Sequence, residues 1–141
     1  MTNIKLHYDV DGDDFTRAGE ASASVKKNLR QLGVDPEIIR KVAIALYEGE
    51  INMVIHAHGG TIGVEISPEE ITMLLADRGP GIADIELAMK EGYSTAPDEV
   101  RSLGFGAGMG LSNMKKNTDK MEISSIIGVG TTVSMMVRIQ K

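Results

Sequence analysis

Five short stretches of this chain read as strands, and four of them form two pairs separated only by turns. Thr61 to Ile66 and Ile71 to Ala76 flank Pro68-Glu69-Glu70. Glu122 to Ile127 and Thr131 to Ile139 flank Gly128-Val129-Gly130. Each pair predicts a β-hairpin. Ile4 to Val10 alternates more loosely, through Ile4, Leu6, Tyr8 and Val10, and predicts a fifth strand. A sheet built this way is half-buried, so it needs a layer of helices on one face.

The chain offers that layer. Residues 15–32 read as a helix with Ala18, Ala21, Val25 and Leu29 or Leu32 on one face. Asp13 or Asp14 is the expected N-cap and Gly33 the expected stop. Asp35 and Pro36 restart a helix in the favoured way, with a cap followed by proline in the first turn. This second helix carries Ile39, Val42, Ala43, Leu46, Ile51, Val54 and Ile55, and should stop between His56 and Gly59. Shorter helices are expected over residues 84–91 and 110–119. Between Gly92 and Gly108 there is no period, and ordered loops of that length are usually functional. The order β α α β β α loop α β β predicts an α/β fold: a two-layer sandwich with a mixed, mostly antiparallel sheet and helices on one face. All 141 residues fit one domain, 1–141.

Composition narrows the chemistry. The absence of cysteine excludes disulfides, thiolate metal sites and thiol nucleophiles. Only His7, His56 and His58 are available as imidazoles, so a three-histidine metal site, which would use all of them, is not expected. The net charge of −5 argues against a nucleic-acid backbone binder. No apolar run approaches the ~20 residues that span a membrane. The amino terminus has no basic cap or apolar h-region, so the expected location is the cytoplasm.

Four stretches then draw attention. Glu48, Asn52 and His56 are spaced by four in the second helix and share one stripe. A solvent-facing stripe would explain them. So would a carboxylate and an amide that hold a hard cation and a reacting hydroxyl. Asp77-Arg78-Gly79-Pro80-Gly81 follows an apolar strand end. A tight turn explains one of its glycines more easily than both. Gly104 to Gly110 contains four glycines in seven positions and runs into a helix. Backbone N–H groups in such a run can cradle phosphate. It is not a GxxxxGK[ST] loop, and a GxGxxG register from Gly104 meets Met109 where the third glycine belongs. Gly128-Val129-Gly130-Thr131-Thr132 reads first as a hairpin turn.

In this order and spacing the four stretches resemble the GHKL superfamily of ATP-binding proteins, the Bergerat fold. Its pattern is Glu-x-x-x-Asn on a helix, Asp-x-Gly-x-Gly after a strand, Gly-x-Gly-x-Gly-Leu before a helix, and Gly-Thr in a late hairpin. The resemblance covers almost the whole chain. Within the superfamily the chain is similar to the small bacterial serine kinases that regulate sigma factors. Asn52 to Thr61 and DRGPGIADIELAMKEGYST look most like the switch kinase of the stressosome. PDEVRSLGFGAGMGL also resembles the anti-sigma kinases, which carry an arginine before the glycine lid. One departure is Gly49, where the family usually has alanine. Glycine lowers helix propensity at that point.

The resemblance implies ATP and Mg²⁺ as cofactors. It implies Glu48 as the general base that takes the proton of a partner serine, and Asn52 as the Mg²⁺ ligand. Asp77 would accept from the adenine amine, with Gly79, Gly81, Ile82 and Thr131 close by. Gly106, Ala107, Gly108, Met109, Gly110 and Leu111 would line the triphosphate, and Arg101 would contact the γ-phosphate. The implied activity is phosphorylation of a small STAS-domain antagonist in a partner-switching pathway. The alternative is a nucleotide-gated module that captures a sigma factor or a downstream phosphatase or cyclase with little transfer. A homodimer is a further expectation from the anti-sigma relatives. No nucleic acid or membrane partner is expected.

Overall fold

The computed structural model describes residues 3–12, 18–56, 59–79 and 110–139. Along the chain these form β1 (Ile4–Asp11), α1 (Glu20–Gln31), α2 (Pro36–His56), β2 (Gly59–Ile66), β3 (Glu70–Asp77), α3 (Gly110–Lys116), β4 (Lys120–Ile126) and β5 (Gly130–Arg138). The strands make one sheet in the order β1-β2-β3-β5-β4. All four pairings are antiparallel, so the expected mixed sheet is antiparallel throughout the described strands. The two predicted hairpins are its β2–β3 and β4–β5 pairs.

Period-two alternation places the core. Ile62, Val64 and Ile66 of β2 are buried, as are Ile71, Met73 and Leu75 of β3 and Val133, Met135 and Val137 of β5. Register aligns them in rows across the sheet: Tyr8–Ile62–Leu75–Val133–Ile123 and Leu6–Val64–Met73–Met135–Met121. The buried residues of the helices, among them Val25 and Leu29 of α1, Val42 and Leu46 of α2 and Met114 of α3, complete the same cluster. Removing these side chains from water is what holds the two layers together, at ~25 cal/mol per Å² of apolar surface.

Helix ends follow local chemistry, with two corrections. α1 stops where glycine was expected to stop it. Gly33 sits at φ +76, its N–H donates to Arg30 O, and Val34 N–H donates to Leu29 O, a Schellman closure. Leu29 is the buried member of the expected pair, and Leu32 is exposed. α2 begins as predicted: Asp35 Oδ1 accepts from Glu37 N–H at 2.9 Å, and Pro36 is the first helical residue. The start of α1 differs. Helix was expected from residue 15, but Ala18 and Gly19 form a turn and the helix starts at Glu20. The expected caps Asp13 and Asp14 lie outside the described residues. Instead the Glu50 carboxylate, reaching across from α2, accepts from Gly19, Ala21 and Ser22 N–H and from Ser22 Oγ–H, at 2.7 to 3.1 Å. It satisfies donors that a helix start leaves open and places a negative charge at the positive helix end. α3 was expected to reach Asp119 and ends at Lys116. Asp119 is drawn into the sheet, where its N–H donates to Met136 O and its Oδ2 accepts from Arg138 N–H. The expected helix 84–91 and the loop 92–108 lie outside the described residues.

Candidate functional site

The inward face of β3 reads Ile71, Met73, Leu75 and then Asp77. The first three are apolar core, and the fourth position of the same face carries a carboxylate. Asp77 pairs with Gly60 on β2, while on the other side Thr131 pairs with Ser125. A polar row therefore continues the core rows at one end of the sheet. Asp77 Oδ1 accepts from Gly79 N–H at 3.0 Å and from Thr131 N–H at 2.9 Å. Thr131 is buried, and its hydroxyl lies 2.9 Å from Ser125 Oγ. The strands approach closely here because Gly130 has no side chain: a Cβ would collide with the Asp77 carbonyl oxygen. That explains the glycine before Thr131 better than the hairpin turn alone does.

α2 crosses the sheet beside this row. Gly49 lies against Leu75, and a Cβ there would collide with Leu75 Cδ2 and approach Met114 Sδ to 3.4 Å. Met53 Cε lies close to Gly60. The glycine that lowers helix propensity thus lets α2 sit down on β3 and α3. Glu48 and Asn52, half-buried and one turn apart, flank this contact on α2. α3 flanks them. Its Asn113 Nδ2–H donates to Glu48 Oε1 at 3.3 Å, the one described hydrogen bond of that carboxylate that is resolved.

Of the expected site residues, hydrogen bonds join Asp77, Gly79 and Thr131, while Glu48 and Asn52 lie on α2, whose Gly49 and Met53 approach Leu75 and Gly60. Gly110 opens α3 and Leu111 packs partly buried against the core. Gly81, Ile82, Arg101, Gly106, Ala107, Gly108 and Met109 lie outside the described residues. His56 is the last residue of α2, and its side chain also lies outside them. Asn113 was not anticipated. Its signal was the one that marked Asn52: asparagine inside a helix that propensity would fill otherwise. Among the described residues no group of three acidic or imidazole side chains forms a cation cage. Nor is any helix there long and apolar enough to cross a membrane.

An antiparallel sheet covered on one face by helices, with a Glu-x-x-x-Asn helix set against an Asp-x-Gly turn and a Gly-Thr strand start, defines the nucleotide-binding class of GHKL ATPases. Residues 13–137 match the model of the histidine kinase-like ATPase domain, and the chain belongs to that family. An anti-sigma F factor of Caldanaerobacter subterraneus is 36% identical over 140 residues, covering 96% of this chain and 91% of the relative. An anti-sigma F factor of Pasteuria penetrans is 31% identical, covering 90% and 89%. The serine/threonine-protein kinase RsbT of Bacillus subtilis is 29% identical, covering 85% of each chain. Among solved structures, the RsbU and RsbW domains of Rv1364c from Mycobacterium tuberculosis share the fold with a TM-score of 0.64 at 18% identity. That match covers 98% of this chain and 33% of the other. The mycobacterial sensor histidine kinase MprB shares it at 0.55 and 17%, covering 97% and 99%.

Proposed function

We propose that the chain is an ATP-dependent serine/threonine protein kinase of a cytoplasmic partner-switching pathway, acting on a small regulatory protein of the STAS-domain type. The observation that supports it most is the Glu48 carboxylate. It is half-buried, oriented by Asn113, and stands one helical turn from Asn52. A general base needs this combination of fixed orientation and lone pairs left open to a substrate proton.

In this reading Asp77 holds the base of ATP. Its Oδ1 is committed to two backbone N–H groups, and Oδ2 accepts from the exocyclic amine. Thr131 completes the edge of that pocket. Asn52 would hold Mg²⁺ through its amide oxygen. One amide beside one carboxylate suits an ion that keeps waters and phosphate oxygens as its other ligands. Once bound, Mg²⁺ would supply neutralisation of phosphate charge. Glu48 takes the proton from the partner serine as the serine oxygen bonds to the γ-phosphorus, and ADP leaves with the electron pair of the broken P–O bond. Transfer of this kind asks mainly for positioning and charge stabilisation.

Calorimetry with Mg-ATP and Mg-ADP tests the nucleotide site: wild type binds and Asn52→Ala binds more weakly. Glu48→Gln then separates kinase from binder. It should bind nucleotide normally and fail to transfer phosphate, and transfer at the wild-type rate would refute the proposal. The anti-sigma F factors among the relatives favour one second reading, nucleotide-gated capture of a sigma factor with little transfer. In that case Glu48→Gln would leave capture intact.

A further inference from the structure

At the opposite end of α2 from Glu48, a groove of about 500 Å³ runs between α1 and α2. Its apolar wall includes Val34, Ile39 and Ile44, and Lys26, Arg30 and Arg40 also line it. Among the described residues no acidic side chain lines it. The groove concentrates charge of one sign in a chain of the other. Residues 26–44 hold five basic and two acidic side chains, in a chain with 15 basic and 20 acidic. Among the described residues the three cations make one ion pair, Arg40 with Glu37, at 3.9 Å between largely exposed side chains, which is worth little. Lys26 and Arg30 stand one turn apart on α1, a like-charge spacing that an isolated helix disfavours.

We infer that this α1–α2 groove is a docking site for an acidic amphipathic segment of a protein partner. Its carboxylates would meet Lys26, Arg30 and Arg40 while its apolar side chains rest on Val34, Ile39 and Ile44. Charge complementarity selects the occupant. An arrangement of cations around an apolar wall matches carboxylates flanking apolar side chains, a helix-in-groove mode of recognition. A phosphate backbone would use the cations and leave the apolar wall unfilled, against the field of a net charge of −5. On α2 the groove's lining runs from Pro36 to Ile44, which stops four residues, about 6 Å, short of Glu48. Its lining includes none of the residues assigned above to nucleotide or to transfer, so peptide binding can be tested apart from the proposed kinase activity.

The probe is a fluorescein-labelled 16-residue helical peptide with leucines at i, i+3, i+4 and i+7 and glutamates beside them, read by anisotropy. The full chain should bind it in the micromolar range. Arg30→Glu with Arg40→Glu should weaken binding at least tenfold, and so should replacing the peptide leucines with serine. Both arginines are exposed, and the thermal unfolding transition of the double variant serves as the check on folding. The inference is overturned by no binding to the wild type, or by equal binding to the double variant or the serine peptide. Tighter binding to a 16-nucleotide single strand, or to phosphatidylglycerol vesicles, would also overturn it.

Discussion

Glu48 and Glu50 sit two residues apart on one helix and have opposite environments. Glu50 is 3% exposed, and both its oxygens accept hydrogen bonds from the start of α1. Glu48 is half-buried, with one side-chain donor at 3.3 Å. The same side chain thus sits in two settings, separated by a rotation of about 200° around the helix. A fully satisfied carboxylate holds structure together and has little left for a substrate. A carboxylate oriented by one donor keeps acceptor capacity. Burial and saturation by hydrogen bonds together, rather than residue type, separate the structural glutamate from the candidate base.

Substitutions on and around this stretch of α2 break the comparison in graded ways. The largest effect belongs to Glu48→Gln. A lost general base lowers transfer by roughly 10²–10⁴-fold. Single-turnover phosphorylation of the partner should show that drop, with thermal unfolding nearly unchanged. Glu50→Gln should do the reverse. It loses charge-assisted hydrogen bonds and sets amide hydrogens against backbone donors, costing about 3 kcal/mol, or roughly 10 °C in Tm. Calorimetric unfolding measures it. If the two variants had similar profiles, the division of labour would be wrong.

Gly49→Ala tests the floor beneath both residues. Overpacking costs ~1–3 kcal/mol, while alanine recovers about 1 kcal/mol of helix propensity. A net loss of about 1 kcal/mol is expected in denaturant unfolding, and a gain would show that Leu75 yields freely. The smallest effect should come from Asn113→Ala. Its hydrogen bond is long, so stability should fall by less than ~1 kcal/mol. Transfer should fall more than stability if that bond sets the rotamer of Glu48.

Much of this was legible in the sequence because alternation and helical spacing report which face is buried. β2, β3 and β5 bury residues that alternate cleanly, and α2 begins at Asp35-Pro36 for purely local reasons. Other features depend on contacts between distant residues. No pattern near residue 20 says that α1 is capped from residue 50. Gly49 reads as a weakness until Leu75 is seen filling its place. Asp119 has the look of a helix end and is claimed by β5. The site follows the same division. Glu48, Asn52 and Asp77 announce themselves by motif, whereas Asn113 becomes visible only when α3 is laid beside α2.

The contact between Gly49 and Leu75 also bears on how sequences of this family can diverge. What is fixed there is a volume shared by two positions, and neither position fixes it alone. A chain with alanine at 49 has spent part of that volume on the helix, and should carry a smaller or differently branched residue at 75. Changing either residue alone passes through a crowded or hollow intermediate. The two positions should therefore change together, and Gly49→Ala with Leu75→Val should be more stable than Gly49→Ala alone. Such paired change would mark the seam between α2 and β3 as a unit of inheritance, although the two residues are far apart in the chain.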